Sequence, residues 1–133
     1  RDSAGHSRKD RDRRMMNLLL VAVGGALGAV ARSGVGIGAA RWLGLAFPWG
    51  TLAVNVIGGF AMGWLAARVG PEQEALRLAL GVGVLGGFTT FSAFSLETVR
   101  LMEHQPGLAA LYAAASVVLS VGACWLGLYL GRV

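Results

Sequence analysis

The sequence predicts an all-α membrane protein with four transmembrane helices. Its composition is 55% hydrophobic and 14% charged, whereas about 25% of residues are charged in soluble domains. Four apolar stretches are each about 20 residues or longer, which is enough to cross a bilayer core of about 30 Å. These stretches are apolar on every face, which disfavours membrane β-strands because such strands alternate. With 133 residues in all, the chain has room for one membrane domain.

The first 14 residues differ from the remainder, because six of the twelve basic residues lie here, interleaved with three aspartates. This composition predicts a disordered charged tail, either a natural extension or a remnant foreign to the protein. Residues 15–133 form the predicted membrane domain. Clustered basic residues can bind nucleic acid, but the aspartates and the lack of stacking aromatics argue against such a partner here.

The reactive side chains predict no catalytic cluster. Cys124 is the single cysteine, and His6 and His104 lie far apart. An intramolecular disulfide and a cysteine-based zinc site are therefore excluded. We do not expect an enzyme.

Proline, glycine and tryptophan residues mark the span boundaries. Pro48 precedes the second span, Gly70-Pro71 separates the second from the third, and Pro106-Gly107 precedes the fourth. Trp64 lies near the end of the second span, as in an aromatic belt. The predicted spans are residues 17–40, 49–67, 74–103 and 108–130.

Small residues recur at a spacing of four, which lets helix backbones approach closely in lipid. The pairs are Gly24/Gly28, Gly34/Gly38, Gly59/Gly63 and Gly127/Gly131. We expect a tightly packed bundle.

The third span contains the run GGFTTFSAFS at residues 86–95. Two glycines followed by two β-branched residues predict that the helix breaks near the middle of the membrane. A break at this depth frees backbone carbonyls, which need burial in protein, water or a cation. A central cation site is one interpretation, and a kink satisfied by Thr and Ser hydroxyls is the other.

Two phenylalanines follow the predicted break. Phe91 and Phe94 are spaced i, i+3 and share a helix face, and Ser92 lies beside them. Phenylalanine in a membrane helix normally faces lipid or the core. On a pore wall, its electropositive ring edges could contact a small anion without trapping it.

Polar residues on the second and fourth spans are further candidates. Thr51 and Asn55 share a face, and the Asn55 amide could donate to an anion or simply join two helices. The fourth span carries one polar stripe at a spacing of four: Tyr112, Ser116, Ser120 and Cys124. The stripe indicates either a wetted path or hydroxyls bonded to their own helix.

Two ionisable residues lie within or near the spans. Arg32 at mid-membrane would cost about 2.5–3.5 kcal/mol, so it needs a partner or a water-filled vestibule. Glu97 is the other. Alternatively, both side chains reach the interface by snorkelling.

Together these motifs resemble the Fluc/CrcB family of fluoride channels. The runs GALGAVAR at residues 25–32, GTLAVN at residues 50–55 and GGFTTFSAFS at residues 86–95 are similar to the signatures of its first three helices. The similarity runs in order from about Asn17 to the C-terminus. Ala93 stands where many members have threonine, which removes one hydroxyl.

The resemblance implies an antiparallel, dual-topology homodimer with two fluoride pores at its interface and a structural sodium ion on its axis. It implies sodium ligation by the backbone carbonyls of Gly86 and Thr89. Arg32 would lie at a pore mouth, with Thr51 and Glu97 near the other end of the path. The remaining implied pore residues are Phe91, Phe94, Asn55, Ser92, Tyr112, Ser116 and Ser120.

The charges at the helix ends are compatible with insertion in both orientations. One end of the domain carries Arg68, Arg77 and Arg132, and the other carries Arg32, Arg41 and Arg100. Three against three gives no positive-inside bias. Physically, four helices with one broken at mid-depth need a partner to cover the break and a pore.

The predicted function is passive, selective fluoride export across a prokaryotic plasma membrane. A small proton-coupled transporter of four helices is one alternative, although such a protein is expected to carry a carboxylate in its first span and none is present there. A structural or assembly membrane protein is the other, but it would not need an ordered polar track.

Overall fold

The computed structural model describes residues 2–133, with side chains from residue 4 onward. Within this range the regular elements are helical, and four helices are long and apolar enough to cross a membrane, as predicted. We label them α1 (Asp2–Leu43), α2 (Trp49–Arg68), α3, α4 (Ser92–His104) and α5 (Pro106–Arg132). The third span comprises α3 and α4, and α3 has three consecutive pieces, Glu74–Arg77, Leu78–Leu85 and Gly86–Phe88.

The ends of the helices follow from local chemistry. After α1, Gly44 adopts φ +82° and its N–H donates to the Ala40 carbonyl at 3.2 Å, which is a glycine helix stop. Pro48 precedes α2 and accepts from the Leu52 N–H at 3.2 Å. Proline suits such positions because the first helical N–H groups have no intrahelical acceptor.

The third span changes its winding along its length. Leu78–Leu85 forms a π-helix, and the following Gly86 N–H reaches back to the Gly81 carbonyl. At Thr89 the backbone is extended (φ −85°, ψ 160°). Regular helix resumes with α4 at Ser92. We call residues 86–91 the irregular segment, and its depth in a membrane stays a prediction.

The helices pack in two pairs, α1 with α3 and α2 with α5. A Cβ atom at Gly28 would collide with the backbone of Val84, and one at Gly63 with the backbone of Cys124. Three of the four predicted small-residue pairs make such close contacts, whereas the sites at Gly34 and Gly38 face open space. The tight packing therefore depends on glycine at the helix crossings.

The charged N-terminal segment continues α1 to Asp2, and side chains from Ala4 to Met16 are exposed. An exposed, charged helix gains little stability beyond its own hydrogen bonds, because it packs against no other element. The disorder expected for this tail therefore stays a prediction.

Large apolar side chains remain exposed along the spans. On α5 the consecutive residues Val117, Val118 and Leu119 are 58%, 68% and 50% exposed. A water-soluble chain does not carry such a continuous apolar surface. These faces suit lipid or another protein within the membrane.

Candidate functional site

An open groove of about 400 Å³ lies beside the irregular segment of the third span. It is bounded by α2, α5 and the segment itself. Six predicted or chemically distinctive side chains line it: Asn55, Phe91, Phe94, Ser116, Ser120 and Cys124. We call this the Asn55 groove.

Asn55 pairs with both backbone groups of Thr90. Its Nδ2 donates to the Thr90 carbonyl at 3.0 Å, and its Oδ1 accepts from the Thr90 N–H at 2.8 Å. Asn55 therefore joins α2 to the irregular segment, which agrees with the interpretation that this side chain connects two helices. The amide nitrogen carries a second hydrogen, so one donor remains for a ligand in the groove.

Phe91 and Phe94 occupy one wall of the groove, with ring centroids 5.6 Å apart. Phe94 also lies 5.2 Å from the Tyr112 ring. Phe91 is 78% exposed. Ser92 lies outside the groove lining, exposed, with its Oγ 3.4 Å from the Thr90 hydroxyl. The structure therefore brings the two phenylalanines together with Asn55 and leaves Ser92 beside them.

Ser116 and Ser120 have buried hydroxyl oxygens without a hydrogen-bond partner in the described structure. Other hydroxyls bond to their own helix: Thr98 donates to the Phe94 carbonyl at 2.7 Å and Ser95 to the Phe91 carbonyl at 2.8 Å. The harmless explanation of the polar stripe therefore does not hold for these two serines. An unpaired buried hydroxyl costs free energy.

Glu97 accepts two hydrogen bonds, one at each carboxylate oxygen. The Thr51 hydroxyl donates to it at 2.9 Å and the Tyr112 hydroxyl at 2.8 Å. Tyr112 is fully buried and belongs to this triad, outside the lining of the Asn55 groove. The triad links α2, α4 and α5.

Arg32 has a partner within the chain. Its Nε donates to the Gly87 carbonyl at 3.1 Å, which offsets the cost of placing a guanidinium in a span. Arg32, Thr51 and Glu97 also line a common cavity of about 200 Å³. Within one chain, the residues expected at opposite ends of a path therefore lie close together.

The backbone at the irregular segment shows which carbonyls have donors. The Gly87 carbonyl is taken by Arg32 and the Thr90 carbonyl by Asn55. The Ala93 N–H donates to the Thr90 hydroxyl oxygen at 3.2 Å, and the Thr90 N–H donates to Asn55 Oδ1. Among the described residues, the carbonyl oxygens of Gly86 and Thr89 receive none of the hydrogen bonds made at this segment.

Sequence reasoning missed the role of Thr90, which binds Asn55 through its backbone and the start of α4 through its hydroxyl. The available signal was a Thr three residues before Ala93, the spacing of a helix cap. The partner of Arg32 was also missed, because Gly87 lies 55 residues away in sequence. The resemblance placed Thr51 and Glu97 near the same end of the path, but the hydrogen bonds that Glu97 accepts from Thr51 and Tyr112 were not predicted.

The fold and the groove define a multi-pass helical membrane protein with amide, hydroxyl and aromatic groups at an irregular helix segment. The sequence model of the family described as CrcB-like protein, Camphor Resistance (CrcB), matches residues 19–128. The chain belongs to this family.

Curated relatives are similar over almost their whole length. A fluoride-specific ion channel FluC from Caulobacter vibrioides (strain NA1000 / CB15N) is 54% identical over 123 residues, covering 89% of this chain and 97% of the relative. Proteins of the same name from Rhodospirillum centenum and Agrobacterium fabrum are 55% and 52% identical over 122 residues, covering 89% of this chain and 97% and 98% of the relatives.

Proposed function

We propose that this protein is a passive, selective fluoride channel. It lowers cytoplasmic fluoride that entered the cell as the neutral acid, and it works in a plasma membrane of the prokaryotic type. The observation that carries the proposal is the pair of buried hydroxyls of Ser116 and Ser120, which have no hydrogen-bond partner among residues 4–133, in one groove with Asn55 and the two phenylalanines. The names of the relatives support the choice of ion.

The groove offers a small anion donors without a fixed positive charge. A dehydrated fluoride ion would meet the second Asn55 N–H, the two serine hydroxyls and the ring edges of Phe91 and Phe94. Conduction requires binding that is favourable enough for entry and weak enough for exit. Neutral donors meet this requirement better than a guanidinium in the narrow part of the path.

Charged residues act near the ends of the path. Arg32 attracts anions at a mouth through its field. Glu97 has its two oxygens engaged by Thr51 and Tyr112, and this triad lies at the opposite end of the path in an assembled dimer. The hydroxyl donors there can turn from the carboxylate to a passing anion.

A second protomer completes the pore. The Asn55 groove is open on one side, and Phe91 is 78% exposed beside it. An antiparallel partner would close the groove, and two-fold symmetry then gives two pores. The balanced arginine distribution after residue 14 supports insertion in both orientations.

A sodium ion on the dimer axis fits the carbonyls that remain without donors. Each protomer would contribute the Gly86 and Thr89 carbonyl oxygens, giving about four ligands for the ion. Such a neutral cage suits a monovalent cation, whereas divalent ions favour carboxylates. The described residues contain no cluster of three or more His, Cys, Asp or Glu side chains that could hold a metal. The sodium would stabilise the two irregular segments against each other.

Fluoride efflux from liposomes tests the proposal. Purified protein is reconstituted in vesicles loaded with fluoride, and external fluoride is followed with a selective electrode after a potassium ionophore sets the membrane potential. We expect a rapid fluoride flux whose direction follows the membrane potential and which does not require a proton gradient. Slow efflux that depends on a proton gradient would instead indicate a coupled transporter, and no efflux would favour a structural role.

A further inference from the structure

A second groove, unrelated to the Asn55 groove, lies between α2 and the π-helical part of α3. It holds about 490 Å³, and its walls include Phe60, Trp64 and Leu65 of α2 and Leu80 and Val84 of α3. Its lining residues are all apolar. This volume lies within the range of small-molecule sites, and the lining suits hydrocarbon.

Positive charge lies at one end of this groove. The Arg68 guanidinium sits over the Trp64 ring, 4.8 Å from its centre, and Trp64 lines the groove. Arg77 precedes the lining residue Leu80 by three positions on α3. A short turn joins the end of α2 to the start of α3, so both exposed arginines are at the same end of the bundle.

We propose that this groove binds one acyl chain of an anionic phospholipid, with its phosphate held by Arg68 and Arg77. Basic groups next to apolar surfaces between membrane helices recognise anionic lipid headgroups, and tryptophan favours this depth. Two acidic residues also lie in this turn, but within the described part of the chain neither forms an ion pair with Arg68 or Arg77. Glu72 lies against Gly70, and Glu74 occupies the first turn of α3, where the helix N-terminus stabilises it.

Quenching of Trp64 fluorescence by lipids with brominated chains tests this proposal. The other three tryptophans are replaced by phenylalanine, and the protein is reconstituted in mixtures containing brominated phosphatidylglycerol or brominated phosphatidylcholine. Trp64 should be half-quenched at a mole fraction of the anionic lipid at least five-fold lower than that of the zwitterionic lipid. Replacing Arg68 and Arg77 together by glutamine should remove this preference.

A protein that keeps only Trp125 is the matched control. Trp125 is exposed on α5, two turns from Arg132, and should be quenched equally by both lipids. Equal quenching of Trp64 by both lipids, or a preference that survives loss of both arginines, would overturn the proposal. A Trp64 that neither lipid quenches would show that protein covers the groove, which also overturns it. Loss of Arg68 and Arg77 alone would leave one arginine against three at the two ends of the domain and bias its orientation. The variant therefore also carries Arg41→Gln and Arg100→Gln, which leaves one arginine at each end. All four positions lie outside the Asn55 groove, so fluoride efflux should stay unchanged and report correct folding.

Discussion

Asn55 and Thr90 are joined by two hydrogen bonds. The Asn55 side-chain amide takes the place of the backbone hydrogen-bond partners that Thr90 would have in a continuous helix. These two residues are 35 positions apart. The pair fixes α2 against the irregular segment, and Asn55 also lines the groove.

Replacing Asn55 by aspartate should lower fluoride efflux about ten-fold or more. The carboxylate would oppose the Thr90 carbonyl and present only acceptors where the anion needs a donor, and loss of such a bond costs about 1.5–3 kcal/mol. Efflux per folded protein, judged by size-exclusion chromatography, is the measurement. Asn17→Asp, at the other asparagine of the chain, is the control. Undiminished efflux in Asn55→Asp would remove this residue from the pore.

Alanine at Ser116 and Ser120 should separate conduction from stability. Both hydroxyls are buried and have no partner in the described part of the chain, so their removal should leave the free energy of unfolding unchanged or raise it by about 1 kcal/mol, while efflux falls. Thr98→Ala is the matched control, because its hydroxyl is satisfied by the Phe94 carbonyl and should not affect efflux. Normal efflux in the double serine variant would contradict the proposed hydroxyl track.

Gly28→Ala should destabilise the bundle by about 1–3 kcal/mol, since the added methyl group meets the Val84 backbone and a well-packed crossing does not yield easily. Gly34→Ala, on the same helix but facing open space, should have little effect. The midpoint of thermal unfolding in detergent measures both. Equal midpoints would show that the α1 to α3 crossing is not tight.

Removing residues 1–14 should leave a protein that inserts in both orientations, because the remaining arginines are balanced between the two ends. A terminal cysteine tag tested with a membrane-impermeant thiol reagent measures the fraction facing outward, with Cys124 replaced by serine to remove the native thiol. About half of the tags should react in intact cells. Labelling confined to one side of the membrane would refute the antiparallel dimer.

Sodium should stabilise the dimer specifically. A ligand at about 100 times its dissociation constant adds about 2.7 kcal/mol to the stability of the form that binds it. The dissociation temperature in sodium chloride should therefore exceed that in choline chloride at equal ionic strength. Equal dissociation temperatures in the two salts would contradict the proposed sodium site at the Gly86 and Thr89 carbonyls.

The four helices were predictable because bilayer thickness sets their length and each stretch is apolar on all faces. The predicted end of α2 at residue 67 differs by one position from the observed Arg68. Gly34 and Gly38 show the limit of pattern reasoning. Their spacing equals that of the three packed pairs, yet their faces meet no other helix within one chain.

By itself the sequence determined the helical membrane class, the approximate spans and the residue types available for an anion. Only the tertiary structure decided that Arg32 pairs with the Gly87 carbonyl and that Glu97 accepts from Thr51 and Tyr112. It also decided that the buried hydroxyls of Ser116 and Ser120 find no partner among the residues described. The physical reason is that hydropathy and helical spacing are local properties, whereas these pairings depend on how helices cross, and side chains in such crossings can be more than 40 residues apart in sequence.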